Sequence, residues 1–373
     1  MAQALGRRYD LDLVVAQGEG TPPTDFGRIC ASITCMPPLG KVPYELNRAI
    51  GALNPRESYF TSGQVSAALR RRVAELVAEH RYTAVQVGDL NQQAALPDRN
   101  CPPIWYDAHN CEYQLVRRQA DYERIPLKWV VKADSLRVRH VESTLVERAR
   151  YVTTCTHQDL IDLAAFCPSM AGKSTMIPSG VDVERFESVR QSVPQAGSVL
   201  LSGSMNWRPT QQGLMWFVEQ VLPLLPQEIQ GVKIAVRVAG RMNRPLVASL
   251  SNHPRLTVIP NPADMREELA RADLIAVPVL ASSGVRVRIF EAWAAGRPVV
   301  TTPSGALGLN YINNQELLAR SSPQEFADAI LKIITDRDLW RHVRTAALAK
   351  VADFDWPKIA DRIIALHEQV FPA

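Results

Sequence analysis

Short apolar runs alternate with amphipathic helical stretches in both halves of this chain, and that alternation confines it to α/β architecture with mostly parallel sheets. In the first half, 11–16 (LDLVVA) reads as a strand, and 64–80 sets Val65, Ala68, Leu69, Val73, Leu76 and Val77 at helical spacing. Further strands are expected at 84–87, 104–106, 151–154 and 175–177, with one long basic helical stretch at 113–150. The second half opens on a buried strand at 198–203 (SVLLSG) and adds strands at 232–239, 256–259, 273–279 and 298–302. Helices are expected at 211–225, 323–336, 339–352 and 356–370. At 373 residues the chain accommodates two domains, each with a full core. Pro178-Ser179-Gly180-Val181-Asp182 is a turn cluster, and the polar, aperiodic segment 187–197 after it reads as the linker. The domains are therefore expected at 1–185 and 196–352. Nothing ahead of 11–16 supplies the strand and glycine-rich turn with which a doubly wound domain starts. The first domain is thus expected to lack its first strand, through an upstream start codon or as an incomplete, inactive domain.

The stretch 282–300 (SSGVRVRIFEAWAAGRPVV) carries the strongest chemical signal. It is a loop of small residues with Ser283, Gly284, Arg286 and Arg288, then a helix with Glu291, then Gly-x-Pro and an apolar strand. Such a loop offers backbone N–H groups and a helix N-terminus to an anion, and the arginines add fixed positive charge. Glu291 can accept hydrogen bonds from a ribose diol, or can simply complement the helix dipole. In open parallel sheets the loops at the carboxyl ends of strands form the ligand crevice. Ser204 and Arg208 follow one expected strand and Arg241 another, so four arginines converge near one sheet edge. These parts suffice to hold a nucleotide diphosphate without a metal.

Composition narrows the alternatives. A net charge of +4 calls for no nucleic-acid partner but permits anionic substrates or an anionic membrane surface. The six cysteines show no Cys-x2-Cys pair and no His at zinc spacing, so buried free thiols in a reducing cytoplasm are expected. No apolar run approaches the ~20 residues that span a bilayer, and the N-terminus shows no signal-peptide pattern. A cytoplasmic location is expected.

Arg286-x-Arg288-x-x-Glu291-Ala292 followed by Ala295-Gly296-x-Pro298-Val299-Val300 resembles the donor-site signature of family 4 glycosyltransferases of the GT-B fold. Four further segments are similar to that family in the same order along the chain: Asp107-Ala108-His109-Asn110-Cys111-Glu112-Tyr113, the turn cluster from Pro178 on to Phe186, Gly203-Ser204-Met205-Asn206-Trp207-Arg208-Pro209, and Phe354-Asp355-Trp356. The resemblance implies two Rossmann-like domains facing a cleft, the acceptor side in 1–185 with helix 356–370 crossing back, and the donor side in 196–352. It implies a retaining, metal-independent glycosyltransferase that moves a hexosyl-type sugar from a nucleotide-diphosphate sugar to a glycan, lipid-linked or small-molecule acceptor. In that reading Glu291 binds the ribose, and Gly284, Arg286 and Arg288 line the diphosphate with Ser204 and Arg208 opposite. Asn261, with Ile259 and Pro260, lies by the base, and His109 reaches the transferred sugar. Ser283 stands where the family usually has a sugar-contacting Glu, and Ser179 where it has Asn.

Other readings of single residues stay open. His109 also suits a turn histidine capping the next helix. Trp207, Trp216 and Trp293 read as core residues. The basic stretch 117–150 suits either peripheral docking on an anionic membrane or an ordinary solvated helix, its acids interleaved with its bases. A same-fold sugar-nucleotide epimerase and a non-catalytic nucleotide-sugar-binding subunit are the rival functions.

Overall fold

A computed structural model describes residues 2–16, 27, 29–36, 41–54, 57–62, 65–281 and 283–372. Ser282, at the head of the anion-binding stretch, lies outside the described residues. The chain divides into two units, Met1–Pro178 with Pro357–Ala373, and Ser179–Trp356.

The first unit runs α1 (Ala2–Leu5), β1 (Asp12–Ala16), β2 (Ser32–Met36), α2 (Lys41–Leu53), α3 (Ala67–Glu79), β3 (Val85–Val87), β4 (Ile104–Ala108), α4 (Glu112–Ala120), α5 (Leu127–Arg148), β5 (Tyr151–Thr154), α6 (His157–Ala164) and β6 (Ser174–Met176). Strands β3, β4, β5 and β6 form a parallel sheet in that order. β1 pairs in parallel with β2, a strand the sequence reading did not anticipate. β4 is buried along its whole length, as a strand covered on both faces must be. Val87, Tyr106, Val138, Leu145, Val152 and Leu163 build the core around it. The single helix expected at 113–150 is two, because Pro126 has no amide to give a continuing helix and disfavours helical backbone at Ile125. Of the cysteines, Cys30, Cys111, Cys155 and Cys167 are buried free thiols, whereas Cys101 is half-buried and Cys35 exposed.

The second unit runs α7 (Glu187–Gln191), β7 (Ser198–Ser204), α8 (Arg208–Trp216), a hairpin of β8 (Glu228–Ile229) and β9 (Val232–Lys233), β10 (Ala235–Arg241), α9 (Arg244–Ser251), β11 (Leu256–Pro260), α10 (Met265–Arg271), β12 (Leu274–Val277), α11 (Val287–Ala294), β13 (Val299–Thr301), β14 (Leu318–Ala319), α12 (Pro323–Thr335) and α13 (Arg337–Val351). The last helix, α14 (Trp356–Val370), begins at the end of this unit, and its residues from Pro357 on belong to the first. The main sheet is parallel throughout in the order β11-β10-β7-β12-β13-β14. That is the doubly wound order, and the direction of winding reverses between β7 and β12. Period-two alternation sends Val199, Leu201, Leu274 and Ala276 into one core, with Phe326 and Ile330 of α12. It sends Leu200, Ile275 and Val277 into the other, with Ile289, Phe290 and Trp293 of α11.

Two expectations need correction. The segment 187–197 is no linker: it starts with α7, buries Val189, and is held by the fully buried Arg297, which donates to the Val189 carbonyl at 3.1 Å and the Ser192 hydroxyl at 2.7 Å. Its polar surface hid one apolar anchor and a set of carbonyls satisfied from a distant loop. The chain instead divides at Pro178–Ser179. There Gly180 lies against the Trp356 ring, where a Cβ would come within 2.7 Å of Cδ2. Val181 bridges Asp355 across a short parallel contact. The helix expected at 211–225 starts earlier, at Arg208, with Pro209 in its first turn.

Candidate functional site

The reversal between β7 and β12 marks the place, beyond the carboxyl ends of these strands, where doubly wound sheets bind ligands. Each of the two strands leads into a helix: β7 through Gly203 to α8, and β12 through Gly284 to α11. Both helices start without a side-chain cap. The N-cap residues are Trp207 for α8 and Arg286 for α11, and neither side chain accepts a first-turn N–H. Elsewhere in this unit Asn243 caps α9, Asp264 α10, Ser322 α12 and Asp336 α13, while the short α7 has no side-chain cap. Neither of these two helix N-termini receives a side-chain cap, and the positive end of a helix favours an anion.

The arginines complete this positive edge. Arg286 is buried, donates to the Ser283 carbonyl, and lies with Cζ 5.1 Å from the Trp207 ring centroid. Ser283 and Gly284 are buried, and Gly284 turns the chain with φ +69°. Arg288 donates through Nη1 to the Ser202 carbonyl at 2.9 Å, across the reversal point. Its Nη2 is buried with no hydrogen-bond partner among the described residues. Burial, and then the neighbouring Arg286, pull the Arg288 pKa down to about 10. Gly203 has to be glycine: its φ is +134°, and a Cβ would sit 2.8 Å from Arg288 Nη1.

Glu291 lies in the second turn of α11, beyond the reach of the first-turn dipole effect, so dipole compensation does not account for it. It is half-buried and finds no hydrogen bond to its carboxylate among the described residues. Burial pushes its pKa up, against the pull of Arg185 and Arg288. Ser204 and Arg241 are register partners at the ends of β7 and β10, and both are exposed. Arg208 is the exposed first residue of α8. Asn261 is one strand further out, beyond β11, with φ +50° and its amide on the Gly240 carbonyl at 2.8 Å. Ile259 packs into the core below it, and Pro260 is exposed.

In the first unit, His109 stands exposed just beyond β4. Its Nε2 is 3.2 Å from Asp107 Oδ2, and that contact, more than any other influence, holds its pKa above the ordinary value. Asp107 is itself buried and accepts from Thr153 Oγ1 at 2.7 Å, and Thr153 in turn accepts from Trp105 Nε1 at 2.9 Å. His109 does not cap α4. The cap comes from Glu142 of α5, whose carboxylate accepts the Glu112 and Tyr113 amides at 2.9 and 3.1 Å. Burial lifts the Glu142 pKa to about 8 and that of Glu112 to about 7. Glu142 escaped the sequence reading because its partner is 30 positions away.

Trp207 was misplaced too. Trp293 is fully buried and Trp216 packs against the core, but Trp207 is 37% exposed and stacks on Arg286. The signal in the sequence was an aromatic residue at a position where helices want Ser, Thr, Asp or Asn. On the basic stretch, Lys128 and Lys132 both pair with Asp121, while Trp129, Val130 and Leu136 stand exposed. No described helix is long and apolar enough to cross a membrane.

The family model described as glycosyl transferases group 1 matches residues 196–336, the stretch that contains both uncapped helices. The chain is 26% identical over 256 residues to D-inositol 3-phosphate glycosyltransferase of Corynebacterium jeikeium, covering 63% of this chain and 61% of the relative. It is 28% identical over 245 residues to glycogen synthase of Mycobacterium tuberculosis, covering 62% and 57%. The matches thus span about three fifths of these relatives' lengths. Among solved structures, sucrose-phosphate synthase from Thermosynechococcus elongatus superposes with TM-score 0.72 at 17% identity, over 99% of this chain and 91% of that one. Anabaena HepE, solved with UDP and glucose, superposes with TM-score 0.65 at 16% identity over 98% and 94%. Residues 196–336 thus match the group 1 glycosyl transferase model, and the fold of the chain is GT-B.

Proposed function

We propose that this protein is a retaining glycosyltransferase that takes a hexosyl-type sugar from a nucleotide-diphosphate sugar, with the diphosphate seated between the ends of β7 and β12. The observation that carries the reading is the pair of uncapped helix N-termini beside Arg286 and Arg288. Departure of a nucleoside diphosphate concentrates negative charge on its phosphates while the sugar takes on oxocarbenium character. Fixed amides and guanidinium groups meet that charge with little reorganisation, and one well-placed donor of this kind is worth ~3 kcal/mol of barrier. These groups supply the positive charge without a divalent cation. Glu291 accepts from the ribose hydroxyls, and the exposed end of β11, with Asn261, receives the base. HepE, solved with UDP and with UDP-glucose, makes UDP the first nucleotide to try.

In the first unit, His109, held in orientation by Asp107, is the residue this reading assigns to the transferred sugar. Attack on the leaving-group face, with the departing phosphate taking the acceptor's proton, needs no further protein base. The acceptor is a glycan, a lipid-linked saccharide or a small molecule. We assign the activity to the cytoplasm. The exposed side of α5, with Trp129, Val130 and Leu136 beside Arg137, is where peripheral contact with an anionic membrane belongs in this scheme. The test is a thermal-shift panel of UDP, GDP, ADP, TDP and their sugars, with and without EDTA, followed by product analysis. Stabilisation by one nucleotide and sugar transfer in EDTA support the proposal. Epimer formation, or turnover that needs a divalent ion, refutes it.

A further inference from the structure

The two side chains that stand where caps belong touch each other. Trp207 precedes α8, Arg286 precedes α11, and the guanidinium carbon of one lies 5.1 Å from the ring centre of the other. Tryptophan has no acceptor to offer a first-turn amide, so α8 forgoes a cap to keep it. The ring is not committed to the core either, with 37% of its surface exposed. A position that gives up a cap and leaves a large ring partly in water breaks two local rules at once, and such breaks concentrate at functional sites.

We propose that Trp207 is a positioning residue for Arg286, and that it sets the affinity of the crevice for the diphosphate. The inference rests on the diphosphate reading above. An arginine side chain has several free torsions, and holding its head still costs entropy unless something fixes it. A carboxylate would fix it and cancel its charge. An aromatic face fixes it while leaving the charge and the in-plane N–H donors to other partners. The Arg286 guanidinium carbon lies over the Trp207 ring, and the Ser283 carbonyl takes one of the guanidinium's donors. The backbone holds the ring itself: Trp207 N donates to the Ser204 carbonyl at 3.2 Å, and Gln211 N donates to the Trp207 carbonyl at 3.0 Å. The loop after β7 thereby fixes a side chain that belongs to the loop after β12.

The test is calorimetric titration of the full chain with UDP, GDP, ADP and TDP, on wild type, Arg286→Ala, Trp207→Leu, Trp207→Phe and the Arg286→Ala/Trp207→Leu double variant. Trp207→Leu is expected to weaken the preferred nucleoside diphosphate by roughly 3- to 30-fold. Trp207→Phe keeps most of the affinity, and the double variant is no weaker than Arg286→Ala alone. Ligand binding is also expected to change the wild-type indole fluorescence by a component that Trp207→Phe lacks. If both Trp207 variants lose affinity equally, or the double variant loses affinity additively, Trp207 does not act through Arg286. Wild-type binding that Arg286→Ala weakens and Trp207→Leu leaves untouched overturns the role of Trp207 alone. Failure of wild type to bind any of the four nucleotides overturns the donor-site reading and this inference with it.

Discussion

Arg288 costs the fold stability, and replacing it with Met is expected to make the protein more stable and less able to bind. Burial brings its pKa from the ordinary 12.5 to about 10, which corresponds to roughly 3 kcal/mol against the charged form. The side chain keeps part of its surface in water, so solvent screening takes about half of that away. The substitution also removes the 2.9 Å bond to the Ser202 carbonyl, a loss of about 1 kcal/mol. The remainder is a gain of about 0.5–1 kcal/mol, or a rise in Tm of about 1–4 °C. Methionine keeps an unbranched, flexible stem, which limits the cavity left behind. Binding moves the other way. Loss of a charge-assisted contact to a phosphate oxygen weakens nucleoside diphosphate affinity by roughly 10- to 100-fold. Differential scanning fluorimetry without ligand and calorimetry with ligand measure the two effects separately. A fall in Tm together with unchanged affinity would show that Arg288 is a structural arginine and refute the reasoning.

Glu291→Gln is expected to leave Tm unchanged or slightly raised, because its carboxylate is half-buried without a hydrogen-bond donor, and to weaken ribonucleotide binding about 10-fold; wild type prefers UDP to 2′-deoxy-UDP, and equal preference in wild type sinks the ribose assignment. Asp107→Asn removes the contact that raises the His109 pKa, so the imidazole resonances titrate at lower pH in the variant. The sign follows from linkage: with its folded pKa above 6.5, His109 adds stability that is fully present below pH 6.5 and is lost as pH rises through the folded value. An unmoved NMR titration curve in the variant refutes this account. Glu142, with its pKa lifted from 4.5 to about 8, makes the folded chain bind more protons than the unfolded chain between those values. Stability in urea is therefore expected to fall from pH 5 to pH 8.5, and Glu142→Gln to flatten that slope.

The strand–helix alternation was legible from local patterning: 151–154 and 356–370 match the observed strand and helix end to end, and the six strands of the second unit's main sheet fall near their expected places apart from β14. β2 and α2 were missed, as were the short helices α6, α7, α9 and α10. β2 alternates Ser, Thr and Cys with apolar residues and is only partly buried, so it lacks the apolar run that marked the others. The loop proposed to hold the diphosphate was legible through Gly284, Arg286, Arg288 and Glu291, whose residue types declare their chemistry. What makes the site distinctive was not legible. An uncapped helix is recognised only once its first residue is known, and expecting the start of α8 at 211 concealed Trp207 as its N-cap. The Glu142 cap on α4 and the Arg297 grip on 187–197 both act between segments distant in sequence, where local pattern carries no information.

The bridge between Val181 and Asp355 fastens the beginning of the second unit to its end. Val181 N donates to the Phe354 carbonyl at 2.8 Å, Trp356 N returns to the Val181 carbonyl at 3.1 Å, and the Asp355 side chain takes Val183 N at 3.1 Å. A module whose two ends are stitched at one point behaves as a closed loop of chain, with both cut sites at the same place. Residues 179–356 can then be excised, or rejoined head to tail with new termini in a surface turn, without unravelling either edge.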